Sequence, residues 1–221
     1  MPSWQWPSVW GAILKAYFIG KGLTMARDDA PPFGRGETLY GGETIDSTDL
    51  PGINLEGREY RFEDSVYGTG QQVVVRIVRN VAAAALIPKK LVSFKTTYYG
   101  QRVDGYATTW GQNSYPVDEL LPAAGVAVND LFYIVVKGPA LCLTDLSADA
   151  NNVITLGDIL VSQTAATSGA TTSGRVVSQT VAATTAVDLD VLKASVHYIG
   201  HAMSAKTTAN TNAGVLINIK F

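Results

Sequence analysis

Cysteine is nearly absent from this chain: its 221 residues include one, Cys142. A single thiol excludes an intramolecular disulfide framework and a multi-cysteine zinc site. Within the apolar run PALCL it reads as a small buried hydrophobe. Charge is scarce as well. Asp, Glu, Lys and Arg make up 16% of the residues, against about 25% in an ordinary soluble domain. The formal net charge is −2, with the two signs interspersed. That leaves no basic field for a nucleic-acid backbone and no polybasic run for an anionic membrane surface. Long apolar runs are missing too. Residues 9–19 are mostly apolar but are interrupted by Lys15, and they fall short of the ~20 residues that cross a bilayer. No Lys or Arg precedes them and residues 19–22 (IGKG) make a poor cleavage site, so they do not read as a secretory leader.

The patterns that carry catalysis or metal binding are also lacking. His197 and His201 in HYIGH are four apart, but no glutamate lies between them. The segment reads as a strand, on which the two rings stand about 13 Å apart. Asp149 and Asn151 begin like a calcium loop, but Val153 falls at the fifth position and the sixth-position glycine is absent. Gly34-Arg35-Gly36 and Gly68-Thr69-Gly70 lack the Lys-Ser/Thr of a phosphate loop, and no serine occupies a Gly-x-Ser-x-Gly elbow. The adjacent carboxylates Asp28-Asp29 and Asp118-Glu119 lie in loop-like stretches and read as solvated pairs. No catalytic residue, cofactor or metal is expected. A structural or binding protein fits better than an enzyme.

What is present is β pattern. Residues 73–81 (VVVRIVRNV) put Val73, Val75 and Ile77 on one face and Val74, Arg76 and Val78 on the other. Residues 91–96 and 102–110 read as short strands, and residues 131–138 (LFYIVVKG), apolar on both faces, as a central one. Residues 153–162, 174–181 and 214–221 complete the set; the last alternates Val215, Ile217, Ile219 and Phe221 with polar or exposed positions. Helical pattern is confined to residues 184–195 and a single turn in YPVDELLPAAG. The expected class is all-β, a small barrel or sandwich of short strands. Asn129-Asp130 and Gly157-Asp158 each form a tight turn that leads into an apolar strand. Residues 162–175, rich in Ser, Thr, Ala and Gly, read as a loop or hairpin tip.

Before residue 58 the character is different. Prolines and glycines break residues 27–58 into an extended segment too poor in apolar residues for a core of its own, though able to order along a surface. The expected organisation is therefore an arm and extended segment over residues 1–57 and a β domain over 58–221. Trp4, Trp6 and Trp10 crowd into the first ten residues, followed by Tyr17 and Phe18. Such side chains carry large apolar area and seldom stay loose in water. Three readings remain open: an arm that docks on a partner, an arm folded on its own β domain, or an upstream extension before Met25.

The motifs NDLFYIVVKGPA (129–140), LGDILVSQTAATSGRVV once its insert ATTSG is passed over, and HYIGHAMSAKTTANTNAGVLINIKF (197–221) together resemble tailed-bacteriophage head decoration, or capsid cement, proteins. In that family a Gly-Asp turn enters a strand, and an Ile-Gly-x-Ala segment precedes a polar loop and a terminal strand. Here these correspond to Gly157-Asp158, to Ile199-Gly200-His201-Ala202, and to residues 214–221. Asn129-Asp130 departs from Gly-Asp, and residues 1–57 have no counterpart in the compact members. The resemblance implies a subunit, often trimeric, on the outer capsid of a virion assembled in a bacterial cytoplasm. Its partner would be the major capsid protein, with no role for nucleic acid or membrane. It would clamp neighbouring capsomers through an N-terminal arm, and Trp4, Trp6, Trp10, Tyr17 and Phe18 would dock it. The alternatives are a tail, baseplate or fibre component, or a carbohydrate-binding β-module with Tyr98, Tyr99, Tyr106 and Trp110 as its platform.

Overall fold

The computed structural model describes residues 31–39, 55–108, 113–144, 153–162, 173–178, 198–206 and 214–219. The segment read as helical, 184–195, lies outside them. The chain divides into two units, Met1–Pro32 and Phe33–Phe221; the second holds all the strands described here.

The fold is all-β. Ten strands follow one another: β1 (Glu59–Glu63), β2 (Gln72–Asn80), β3 (Leu91–Phe94), β4 (Arg102–Tyr106), β5 (Ser114–Pro116), β6 (Leu131–Leu143), β7 (Ile159–Ser162), β8 (Val176–Ser178), β9 (Gly200–Ala202) and β10 (Gly214–Ile219). Among the described residues the helical content is one 3-10 turn, Thr96–Tyr98. The turn expected in YPVDELLPAAG is no helix: Ser114–Pro116 is β5, and the chain then reverses at Asp118, whose carbonyl accepts the Leu121 N–H at 3.4 Å.

The strands form one path, β5-β3-β4-β2-β6-β10-β9-β7-β8, with β1 added to β2. It is open rather than a closed barrel, because β5 and β8 end the path and do not pair with each other among the described residues. Each has three residues, and each pairs along one edge only, β5 with β3 and β8 with β7. Isolated contacts draw the β8 end inward instead. Leu91 donates its N–H to the Gly174 carbonyl at 2.7 Å, Gly174 donates to Ala107 at 3.0 Å, and Thr144 bridges Val176.

β6 is the axis, as its two apolar faces imply. Leu131, Tyr133 and Val135 enter one core with Val73, Val75 and Ile77 of β2. Phe132, Ile134 and Val136 enter a second core with Val78, Val92, Val103 and Val117. The strand runs to Leu143, beyond the expected end at Gly138, because it changes partners on the way. β2 pairs with it from Leu131 to Lys137, and β10 from Gly138 to Leu143. Val75 faces Val135 while Val74 faces Lys137, so β6 carries one extra residue there. A bulge of one residue reverses the in–out alternation. Beyond it the even-numbered Ala140 and Cys142 occupy the core that odd-numbered residues filled before. Gly138 sits at the switch with φ +97°, where a β-carbon would collide with the Gln72 carbonyl oxygen. Pro139 follows; it lacks a ladder donor and fits where a strand exchanges neighbours.

Candidate functional site

Two features of the Phe33–Phe221 unit bring chemistry-bearing residues together. The first fixes the segment 33–39 to β6, and Tyr133 is its centre. The Phe33 ring stacks on Tyr133 with centroids 4.3 Å apart, and Tyr60 and Phe62 from β1 approach the same ring edge-on. The Tyr133 hydroxyl donates to the Phe33 carbonyl at 3.0 Å. Leu39 and Leu131 exchange both backbone hydrogen bonds, at 3.0 and 2.9 Å. The extended segment thus orders against the sheet because it supplies an aromatic ring and a strand-like bridge, not because it builds a core.

Arg35 completes the attachment. Its Nη2 lies 2.7 Å from Asp118 Oδ1 and 2.9 Å from Glu119 Oε1, and its Nε reaches Asp118 Oδ2 at 3.3 Å. All three side chains are almost fully enclosed. Asp118 also accepts the Gly36 and Leu120 N–H groups, and its own N–H donates to the Tyr133 carbonyl at 3.1 Å. Asp118-Glu119 is therefore a buried ion-pair partner and not the solvated pair that its loop-like sequence suggests. One guanidinium serves two carboxylates, and Glu119 Oε2 has no partner. Burial pushes the Glu119 carboxyl above its ordinary range; Arg35 opposes the shift and the neighbouring Asp118 charge adds to it. Burial alone would lower the Arg35 pKa, but its two carboxylates outweigh that and raise it. Sequence shows the adjacent carboxylates but not their cation, because Arg35 is more than eighty residues from both.

The second feature is a cleft of about 650 Å3 at the point where β6 leaves β2 for β10. Arg61 of β1, Gln71 just before β2, and Gln72 and Val74 of β2 line it, with Lys137 and Gly138 from β6 and His201, Asn218 and Ile219 from β9 and β10. No carboxylate lines it. His201 Nδ1 stands 3.4 Å from the Gly157 carbonyl, and its ring is tilted against Tyr198.

The two turns singled out from sequence have the geometry that their residues permit. Asn129 has φ +72° and Gly157 φ +90°, each just before an Asp and a strand. Asp158 closes its turn by accepting the Thr155 N–H and hydroxyl at 2.8 and 2.6 Å, and it also accepts the Ser178 hydroxyl. Burial works against ionisation there, but these bonds outweigh it and lower the carboxyl pKa.

Trp4, Trp6, Trp10, Tyr17 and Phe18, the expected docking residues, lie outside the described residues, as do Asp28-Asp29, Trp110, Asp149, Asn151 and His197. Of the aromatic platform, Tyr98 and Tyr99 are exposed side by side. Arg102 already lies over the Tyr98 ring, 4.1 Å from its centroid. Tyr106 is turned away: its ring covers the second core and its hydroxyl accepts the Ile87 N–H at 2.7 Å. Cys142 is fully buried, and burial, followed by the Glu119 charge, pushes its thiol pKa well up. Among the described residues no cluster of three or more His, Cys, Asp or Glu is arranged to hold a metal ion, and no helix is long and apolar enough to cross a membrane. No protein-family model matches the sequence, and no curated protein matches it.

Proposed function

We propose that the chain is a virion structural protein, a capsid decoration subunit that binds the major capsid protein on the outer surface of the shell and clamps neighbouring capsomers. It acts by binding, without turnover. The observation that carries this reading is the attachment of residues 33–39 to β6. A clamp has to pass force between its arm and its body. Here the chain leaving the N-terminal segment is tied to the central strand by a ring stack, a buried hydrogen bond, a strand bridge and an enclosed ion triad. Aromatic side chains such as Trp4, Trp6 and Trp10 are the type that anchor interfaces. Binding only the mature shell stabilises that shell by linkage, and a trimer multiplies modest contacts through avidity. Assembly takes place in the bacterial cytoplasm.

The test is sedimentation of the chain from its native lysate, with detection by tryptic peptides. Co-migration with DNA-filled heads supports the reading, and deletion of residues 1–24 should weaken that association while leaving the unfolding transition of the β unit in place. Migration as a free species of a few S, with no particle, overturns it. The exposed Tyr98–Tyr99 pair favours a second reading, a carbohydrate-binding module of a tail or fibre. Stacking on a sugar ring there falls to Tyr99, the ring not covered by Arg102, and a glycan array comparing wild type with Tyr99→Ala tests it.

A further inference from the structure

The cleft at the β6 switch point is lined by two cations and no carboxylate. Arg35, Arg76, Arg79 and Arg102 each face a carboxylate, and Arg58 and Arg175 have partners as well. Arg61 on β1 is the described arginine whose side chain has neither an ion pair nor a hydrogen bond there, and the Lys137 ammonium shares that condition. Both side chains line the same cleft, from different strands. The carboxylates on the face of β1 that carries Arg61 make no ion pair with it. Glu59 is spent on Arg76, and Glu63, opposite Gln72, is outside the lining. The remaining polar lining is three side-chain amides, Gln71, Gln72 and Asn218, and the His201 ring.

We infer that this cleft is a binding site for a carboxylate-rich ligand, with Arg61 and Lys137 as its charge partners and the amides as hydrogen-bonding walls. Arg61 presents a planar fork suited to a carboxylate, and Lys137 a point charge opposite it. The donors stand on four strands around a volume of about 650 Å3, within the range of small-ligand pockets. That spacing suits several carboxylates spread over one ligand. Gly138 is what opens the site, because the bulge and its positive φ let β2 and β10 part over one continuous strand. The site stands independently of the capsid reading.

The experiment is isothermal titration of the full chain at low salt with citrate, a hexaglutamate peptide, inorganic phosphate and the uncharged trimethyl ester of citrate. Amide shifts at Gln72 and Gly138 locate the binding. Saturable binding of citrate or peptide is expected, weakened about tenfold to a hundredfold by Arg61→Gln and by Lys137→Gln. Both residues are exposed, so the unfolding midpoint should stay unchanged. Citrate binding more tightly than the peptide assigns the site to a small polycarboxylic acid; the reverse assigns it to an acidic tract of a protein partner. The proposal is overturned by no saturable binding, by equal binding of the ester, by binding of phosphate alone, or by variants that bind as wild type does.

Discussion

Replacing Arg35 by methionine removes the cation from the enclosed triad and leaves Asp118 and Glu119 side by side. The side chains are 7%, 1% and 3% exposed, so water cannot take over the role of the guanidinium. Breaking a buried ion pair by deleting one partner costs about 3–5 kcal/mol. For a unit of this size that lowers Tm by roughly 6–20 °C. The loss should depend on pH. The Glu119 carboxyl is already raised in the folded protein by burial, and without Arg35 it rises further. The folded state then holds a proton that the unfolded state releases, so stability falls as pH rises through that window. Urea unfolding of wild type and Arg35→Met at pH 5 and pH 8 should show the larger deficit at pH 8. Adding Asp118→Asn and Glu119→Gln to Arg35→Met should recover most of it. A deficit below about 1 kcal/mol at pH 8, or one equal at both pH values, would refute the assignment of the triad as a buried, under-neutralised attachment.

Gly138→Ala should lower stability by about 2–4 kcal/mol, because a positive φ and the Gln72 carbonyl both oppose a β-carbon. Gly68→Ala, at φ +62° but in open space, should lose only about 1–2 kcal/mol by the same urea assay; equal losses would remove the close approach from the argument. Slight burial acts against ionisation of Asp64, but the Thr69 hydroxyl and the N–H groups of Tyr67, Thr69 and Val66 hold its pKa at about 2. Its contribution is present above pH 4 and lost as pH falls toward 2, so wild type and Asp64→Asn should converge in Tm over that range and differ at pH 7. Cys142 should react with a thiol reagent only as fast as the protein unfolds, given its burial and raised pKa. Labelling of the native protein at the rate seen in urea would place the thiol at the surface.

Local pattern was enough for β2 and β10. Their alternation names the residues that fill the core, and the structure buries Val73, Val75, Ile77, Val215, Ile217 and Ile219. It was also enough for the two turns, because Asn129 and Gly157 are residue types that tolerate positive φ. The strand expected over residues 153–162 is shorter, β7 beginning at Ile159, because the Thr155–Asp158 turn interrupts it and leaves Ile154 a lone bridge to Lys206. The length of β6 was legible only in part: KGPA reads as a stop, but it marks a change of partner. Tyr106 reads as a surface ring because strand pattern does not register the extra residue on β4 at Asp104, where the pairing of β3 with β4 shifts.

The sequence by itself determined that the chain builds short strands with apolar faces, since a side-chain period of two depends only on neighbouring residues. It also determined that β6 lies inside, since a strand apolar on both sides can be buried only between two cores. Tertiary structure alone decided that the sheet stays open, that a bulge at Val136 reverses the faces of β6, and that Arg35 meets Asp118 and Glu119. It also left Arg61 and Lys137 facing one cleft without a carboxylate. Each of these depends on which distant segments pair and in what register, and ion pairing and close backbone approach act through space between residues that no local period connects.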